Sequence, residues 1–126
     1  MPGPPSLTAD DRAEHVPGCN RAFWRYALDR VGGFDPVFTA AGDDVDVCWR
    51  LQQQGHTLGF HPAAVVWHHR RTSLWRFWRQ QRGYGRAEAL LERKWPEKYD
   101  LRGHLTWRGR LYGRGVAGRL RSRIYH

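Results

Sequence analysis

Cysteine is scarce in this chain, and the two cysteines present, Cys19 and Cys48, are too few for a disulfide framework or a cysteine-based zinc site. Their neighbours are small or apolar, so both thiols are expected to be buried and reduced. Long apolar runs are also missing, since nothing approaches the roughly 20 residues that a membrane-spanning helix needs. The N-terminus lacks the charged and apolar regions of a signal peptide. A cytoplasmic protein is therefore expected.

Lysine and acidic residues are few as well. The chain has 21 Lys+Arg against 12 Asp+Glu, a formal net charge of +9, yet lysine occurs only at Lys94 and Lys98. Arginine makes forked contacts to phosphate, so an anionic partner is indicated: a nucleotide diphosphate, a nucleic acid or an anionic membrane surface. Arginine-rich composition can also reflect a GC-rich genome. At 126 residues the chain forms at most one domain with a small core.

Turn residues and hydrophobic spacing predict an α/β chain in three parts: a flexible leader over 1–14, a folded part over 15–100, and a basic Gly/Arg-rich tail over 101–126. The predicted elements are a strand or loop over His15–Phe23, a brief helix over Trp24–Val31, a helix over Asp43–Gln54, strands over Thr57–Phe60 and Ala63–Trp67, and a helix over Leu74–Trp95. The strand over 63–67 is continuously apolar, as expected for a strand covered on both faces. Ligands gather beyond the carboxyl ends of strands in open α/β sheets, which makes the residues that follow it candidates for a site.

Three carboxylates open the helix predicted at residue 43. Asp43 is a suitable N-cap. Helical spacing places Asp44 at the rim of the apolar face formed by Val47, Cys48 and Leu51. Asp46 falls on another face, four residues before Arg50, where it is better placed for an ion pair. The spacing therefore favours Asp44 for chemistry and Asp46 for structure.

Five segments carry a family resemblance: Gly18–Arg25, Val31–Asp35, Asp43–Leu51, Val66–Arg71 and Arg79–Gly85. In this order they resemble the C-terminal half of a family 2 glycosyltransferase of the GT-A fold. The resemblance covers residues 15–100. It implies a partial GT-A (Rossmann-like) fold with short strands and two main helices, lacking the N-terminal nucleotide-binding sheet.

The resemblance implies inverting transfer of a sugar from a nucleotide-diphosphate donor to a hydroxyl acceptor, a glycan or a lipid-linked molecule, as in the synthesis of cell-envelope polysaccharide. The family's catalytic base matches the Asp43-Asp44 pair, with Asp44 preferred. A carboxylate near a helix N-terminus stays ionised and ready to accept a proton. His68, which closes Val66-Trp67-His68, matches the position that helps hold a divalent metal, Mn²⁺ or Mg²⁺, with His69 as the alternative.

Further roles follow from the same resemblance. Binding of the donor diphosphate is expected from Arg70, Arg71, Arg79 and Arg82. The acceptor side matches Asn20, Phe34 and Asp35, for which a core or turn role is the alternative. The element Gln80-Gln81-Arg82-Gly83 is similar to Gln-x-x-Arg-Trp of processive relatives, but Gly83 replaces the Trp, so processive synthesis is not expected.

The resemblance also implies a missing half. The family's donor-binding sheet and its Asp-x-Asp metal motif should precede residue 15, where this chain has the short leader. The chain alone is therefore expected to be inactive: a truncated gene, half of a split enzyme or a remnant. Two alternatives are a basic nucleic-acid binder that uses interleaved Trp, Tyr and Arg, which has no known module signature here, and a membrane-surface module that uses the Trp/Arg helix from Leu74. The second is compatible with a transferase at the inner face of the cell membrane.

Overall fold

The computed structural model describes residues 6–9, 11–69 and 72–106. The elements in chain order are β1 (Ser6–Ala9), β2 (Arg12–His15), α1 (Arg25–Arg30), α2 (Asp43–Gln53), β3 (Leu58–Gly59) and α3 (Leu74–Lys94), followed by a 3-10 turn over Pro96–Lys98. The three strands form one antiparallel sheet in the order β1-β2-β3, and α2 packs against β2. The predicted mixture of short strands and two main helices is present.

β1 and the first three residues of β2 lie inside the region, residues 1–14, that was predicted to be a flexible leader. β2 is the central strand of the sheet, paired with β1 on one side and β3 on the other. Its residues Ala13, Glu14 and His15 are buried. The leader prediction was therefore wrong for residues 12–14, because pairing with β3 and packing against α2 give order to a stretch whose local composition does not specify it.

The segment over 63–67 is not the buried strand that its apolar run predicts. Val65 is 73% exposed and Trp67 is 94% exposed. β3 covers only Leu58–Gly59, and within the described ranges no strand pairs with residues 63–67. An apolar run becomes a buried strand only when neighbours cover both of its faces, and here the described residues provide none. The strand prediction was wrong for this segment.

Helix α2 is the central element of the fold. It begins after Gly42, whose φ of 87° is the left-handed conformation that glycine adopts at least cost. The predicted Asp43 cap is not formed, since the described residues provide no side-chain cap hydrogen bond at this end. The carboxylates of Asp43, Asp44 and Asp46 occupy the first turn, where the helix dipole favours negative charge.

Two buried clusters lie against α2. The first contains Ala13, Ala27, Val47, Cys48, Leu51 and Leu58, and so joins α2 to β2, α1 and β3. The second contains Phe38, Val45, Trp49, Leu91, Trp95 and Leu105, and joins α2 to the end of α3 and the segment after it. Because both clusters hold α2, the position of its first turn is fixed relative to β2 and α3.

The two cysteines differ in their surroundings. Cys48 is buried, as predicted, and this burial raises the pKa of its thiol to about 11. Cys19 is exposed, so its predicted burial was wrong; it lies in the loop after β2 rather than in either cluster.

Helix α3 packs mainly through its C-terminal half, where Ala87 and Leu91 are buried. The chain then turns back, and Tyr99 pairs with Leu105, which is buried. The first residues of the predicted tail over 101–126 therefore pack, while residues 107–126 lie outside the described residues. Within the described ranges, the helices are too short or too polar to cross a membrane.

Replacing Gly42 with alanine is expected to destabilise the fold by about 2–4 kcal/mol, from left-handed strain plus overpacking. A Cβ at this position would lie 2.9 Å from Cδ1 of Phe38 and 3.2 Å from Cβ of Ala87. Gly55→Ala is the matched control, because Gly55 also has a positive φ, 83°, but its Cβ would meet no described atom within 4 Å. Urea denaturation measures both, and equal losses would show that the close packing at Gly42 is unimportant.

Candidate active site

The carboxylate of Asp44 lies in the first turn of α2 and is held by three contacts. Its Oδ2 lies 3.2 Å from Nε2 of His15 and accepts the backbone N–H of Gly18 at 3.3 Å. Its Oδ1 accepts the backbone N–H of Val45 at 2.9 Å. Because an ionised carboxylate only accepts hydrogen bonds, His15 donates through a protonated Nε2. The end of β2 and the turn after it therefore fix the orientation of this side chain.

Opposing effects set the pKa of Asp44. Burial, which leaves the side chain 16% exposed, has the largest effect and raises the pKa. The hydrogen bond from His15, the charge of its imidazolium, the Val45 N–H and the Arg21 guanidinium lower the pKa, and together they outweigh burial. The pKa of Asp44 therefore lies below its ordinary value. The side chain is ionised at neutral pH and able to accept a proton.

Asp44 lines a small cavity of about 370 Å³. The other polar groups around this cavity include Asp43, Arg21, His68 and Tyr84. The predicted base and the histidine predicted to help hold a metal thus line the same cavity, brought together from α2 and from the segment before α3. A polar molecule entering it meets a carboxylate, an imidazole and a phenol.

Asp43 faces Arg21. Nη2 of Arg21 lies 3.5 Å from Oδ2 of Asp43, and the guanidinium carbon lies 5.4 Å and 5.1 Å from the ring centroids of Phe23 and Phe34. The Arg21 side chain is 12% exposed, and its Nη1 is buried without a hydrogen-bond partner among the described residues. Arg21 is thus a largely desolvated cation beside the acidic pair, and its charge lowers the pKa of Asp44.

Asp46 has a structural role, as the spacing predicts. Its side chain is 0% exposed. One oxygen accepts from Nε of Arg50 at 2.8 Å, and the other accepts from Nζ of Lys94 and from Nε1 of Trp95, each at 2.8 Å. This carboxylate therefore ties α2 to the C-terminal end of α3.

Asn20, predicted on the acceptor side, lines a second and larger cavity of about 1020 Å³. Its Nδ2 donates to the carbonyl oxygen of Ala64 at 2.6 Å. The two cavities are neighbours, because Pro17, Cys19 and Arg21 line both. Asn20 is thus one wall of a space that borders the Asp44 cavity.

Phe34 and Asp35, the other residues predicted on the acceptor side, make structural contacts. Phe34 packs edge-on against Phe23, with ring centroids 6.2 Å apart. Asp35 accepts the backbone N–H of Val37 at 3.0 Å and pairs with Nζ of Lys94 at 2.6 Å. The contacts of Asp35 match the turn role that was its alternative, whereas Phe34 is 41% exposed and belongs to neither buried cluster.

Of the arginines predicted to bind a diphosphate, the two that the structure describes, Arg79 and Arg82, do not line the Asp44 cavity. Arg79 and Arg82 are exposed on α3, and the guanidinium of Arg82 lies 5.0 Å from the ring centroid of Trp78. Neither Arg79 nor Arg82 is among the described residues that line the small cavity. Arg70 and Arg71 lie outside the described residues.

The sequence was compared with known protein families. Residues 10–117 match the model of the family described as glycosyl transferase family group 2. The chain belongs to this family.

Curated relatives agree with this assignment. The chain is 40% identical over 72 residues to the pre-mycofactocin glycosyltransferase of two strains of Mycobacterium tuberculosis, covering 57% of this chain and 15% of the relative. It is 31% identical over 67 residues to a probable glycosyltransferase, YdaM, of Bacillus subtilis strain 168, covering 53% of this chain and 15% of the relative. No solved structure gives a significant match. The chain thus aligns with a small part of longer glycosyltransferases.

The resemblance to metal-dependent glycosyltransferases raises the question of a metal centre. Nowhere in residues 6–9, 11–69 and 72–106 do three or more His, Cys, Asp or Glu side chains gather so that they could hold a metal ion. His68 lines the cavity with the two aspartates, but tight metal binding needs several converging ligands. The described residues therefore do not fit a metal centre built by this chain alone.

Sequence reasoning missed His15, Arg21 and Tyr84 as site residues. His15 is 29 positions from Asp44, and the pairing arises only because β2 packs against α2. The Pro17-Gly18 turn was the available signal, since side chains at strand ends before turns commonly face a site. Tyr84 stands between two glycines that suggest a kink, but α3 is continuous through them.

Replacing His15 with leucine is expected to raise the pKa of Asp44. The substitution removes the hydrogen bond and the charge that lower this pKa, while the burial that raises it remains. A titration of aspartate Cγ resonances by ¹³C NMR measures the shift. The control is His69→Leu, which replaces an exposed imidazole and should leave Asp44 unchanged. An unchanged Asp44 titration in His15→Leu would contradict the assignment.

The same pair predicts a pH dependence of stability. Because the folded-state pKa of Asp44 is depressed, its ionisation stabilises the fold at neutral pH, and this contribution is lost as the pH falls through the folded pKa. His15→Leu should therefore lose part of the difference in unfolding free energy between neutral and acidic pH. Urea denaturation at both pH values measures this difference.

Proposed function

We propose that this chain supplies the catalytic-base half of an inverting glycosyltransferase. The donor is a nucleotide-diphosphate sugar, and the acceptor is a hydroxyl of a glycan or a lipid-linked molecule. The observation that carries the proposal is the ionised Asp44 carboxylate, oriented by His15 and Gly18 at the edge of a cavity that it shares with His68.

The proposed step is an in-line displacement at the anomeric carbon. The acceptor hydroxyl donates its proton to Asp44, and its oxygen forms a bond to the anomeric carbon. The bond between this carbon and the diphosphate oxygen breaks, and its electron pair leaves with the nucleotide diphosphate. Since attack comes from the face opposite the leaving group, the anomeric configuration is inverted. A base for this step must lie within hydrogen-bond reach of the acceptor hydroxyl, which the cavity beside Asp44 permits.

His15 is proposed to be a positioning residue. Its Nε2 holds one carboxylate oxygen of Asp44 at 3.2 Å, beside the cavity that Asp44 lines. The lowered pKa keeps Asp44 ionised before the reaction, although a base with a low pKa removes a proton with less driving force than one matched to the operating pH. Displacement of a good leaving group, such as a nucleotide diphosphate, does not require a strong base.

The departing nucleotide diphosphate carries negative charge that must be stabilised. Arg70 and Arg71 are proposed to neutralise charge on the departing diphosphate. Arg79 and Arg82, which were expected to share this role, do not line the Asp44 cavity and are not assigned it. A divalent metal, Mn²⁺ or Mg²⁺, with His68 as one ligand, belongs to the proposal as an expected cofactor. No step is routed through it, because the described residues do not form a complete ligand set.

The donor-binding half is proposed to come from another segment or polypeptide. The aligned region covers 15% of each curated relative, and the described residues before α2 form β1, β2 and α1. On this proposal the chain by itself does not transfer sugar.

The test is transfer from labelled nucleotide sugars to a panel of glycan and lipid-linked acceptors, followed by mass spectrometry. The chain is assayed alone and joined to the segment encoded immediately upstream. Transfer by the joined protein and none by the chain alone is expected. A joined protein that binds a nucleotide sugar but neither transfers nor hydrolyses it would overturn the proposal, and activity of the chain alone would overturn its half-site part.

A further inference from the structure

The N-terminal half of α3 carries large apolar side chains into solvent. Leu74 is 87% exposed, Trp75 66%, Phe77 52% and Trp78 49%. The buried residues of this helix, Ala87 and Leu91, lie in its other half. Contiguous apolar groups of this size on a surface usually mark an interaction site.

Arginines are interleaved with these apolar residues. Arg76, Arg79 and Arg82 are exposed along the same turns, and the first turn contains no acidic residue. Arg76 lies in the first turn, where the helix dipole disfavours a cation, so its position is unfavourable for the helix in isolation. An anionic surface alongside would offset that cost. The three arginines with Leu74, Trp75, Phe77 and Trp78 are called the Trp/Arg patch below.

The geometry of the tryptophans favours a lipid surface over a nucleic acid. The rings of Trp75 and Trp78 stack on each other, with centroids 5.1 Å apart and planes at 27°. The guanidinium of Arg82 lies 5.0 Å from the Trp78 centroid. Unpaired bases bind proteins by stacking on exposed aromatic rings. Here the faces of the two indole rings are partly covered, by each other and by Arg82. Exposed indoles next to Leu74, Phe77 and arginines are the composition of helices that lie in the headgroup layer of a membrane.

We propose that the Trp/Arg patch binds the surface of an anionic phospholipid bilayer. The indoles and Leu74 enter the headgroup layer, and the arginines contact lipid phosphates. Helix α3 then lies along the membrane surface, on the same chain as the Asp44 cavity. This proposal does not depend on glycosyl transfer, because vesicle binding is measured without a sugar donor.

The test is co-sedimentation of the full chain with vesicles of phosphatidylcholine, with and without phosphatidylglycerol. Binding is expected only with the anionic lipid and should fall as salt rises. Trp75→Ser with Trp78→Ser should abolish it. The triple variant R76Q/R79Q/R82Q should weaken it roughly 100-fold, from about fivefold per arginine. The control variants are Trp24→Ser and R25Q/R30Q, since Trp24 is 77% exposed and the Arg25 side chain is 94% exposed. They should bind as the wild type does.

Far-UV circular dichroism checks that each variant is folded, which the exposure of the changed side chains leads us to expect. No vesicle binding, equal binding to neutral vesicles, or equal loss in the control variants would overturn the proposal. A salt-dependent shift of a labelled single-stranded oligonucleotide that is lost in the patch variants, without vesicle binding, would instead assign the patch to nucleic acid.

Discussion

Asp44→Asn should lower the rate constant for sugar transfer by about 10²–10⁴, the usual contribution of a general base. The amide keeps the size of the carboxylate but cannot accept the proton of the acceptor hydroxyl. Affinity for the nucleotide-sugar donor should change little, because Asp44 is proposed to act on the acceptor. The measurement is kcat for the chain joined to its donor-binding half, with the donor Kd measured separately by calorimetry.

Asp43→Asn is the matched control. Asp43 lines the same cavity and stands next in sequence, but it faces Arg21 at 3.5 Å and has no contact with His15 among the described hydrogen bonds and ion pairs. This variant should retain most of the activity. If Asp44→Asn remains active and Asp43→Asn does not, the base is Asp43.

Asp46→Ala is expected to have the largest effect on stability. The fully buried carboxylate accepts hydrogen bonds from Arg50, Lys94 and Trp95. Its removal takes this acceptor from Nε of Arg50 and Nε1 of Trp95, while Lys94 keeps its pair with Asp35. Loss of one partner from a buried ionic network typically costs about 3–5 kcal/mol. Because the network joins α2 to the end of α3, the loss should appear as a lower urea midpoint or as loss of the cooperative transition.

Asp29→Ala provides the comparison for this effect. Asp29 forms an i,i+4 pair with Arg25 at 3.7 Å, and its side chain is 71% exposed. Exposed pairs of this kind contribute about 0.3–0.5 kcal/mol, so the variant should unfold close to the wild type. A loss in Asp46→Ala no larger than in Asp29→Ala would mean that the buried network does not stabilise the fold.

Local patterns in the sequence were sufficient for helix α2 and for one of its carboxylates. The spacing of Val47, Cys48 and Leu51 predicts the buried face, and the i,i+4 relation predicts the pair between Asp46 and Arg50. Both depend on residues within one or two helical turns, which a single sequence displays directly. The additional contacts of Asp46 with Lys94 and Trp95 could not be predicted, because they depend on the packing of α3.

Contacts between distant segments account for the errors. β2 is ordered by its pairing with β3, although its neighbourhood in the sequence resembles a flexible leader. The opposite error arose at residues 63–67, where an apolar run predicts a covered strand but the described residues supply no neighbouring strand. In both cases, whether the segment forms a strand depends on pairing with segments far away in the chain.

The residues of the candidate site also divide into those that local patterns predict and those that depend on distant contacts. Asp44 and His68 could be proposed from the helix start, the end of the apolar run and the family resemblance, and they line one cavity. His15 could not be proposed, because no local sequence pattern predicts a contact with a residue 29 positions away. Its contact with Asp44 nonetheless accounts for much of the lowered pKa of the proposed base.

The most direct test of whether Asp44 accepts the acceptor's proton is the pH dependence of kcat/KM of the joined protein. It is compared between the wild-type sequence and His15→Leu. This profile reports the ionisation of the essential base in the free enzyme. The account predicts that the wild-type rate falls only below the usual pKa range of an aspartate, and that the fall moves to higher pH when His15 is replaced. A profile that stays in place in the variant would contradict it, because the group that titrates would then not be Asp44.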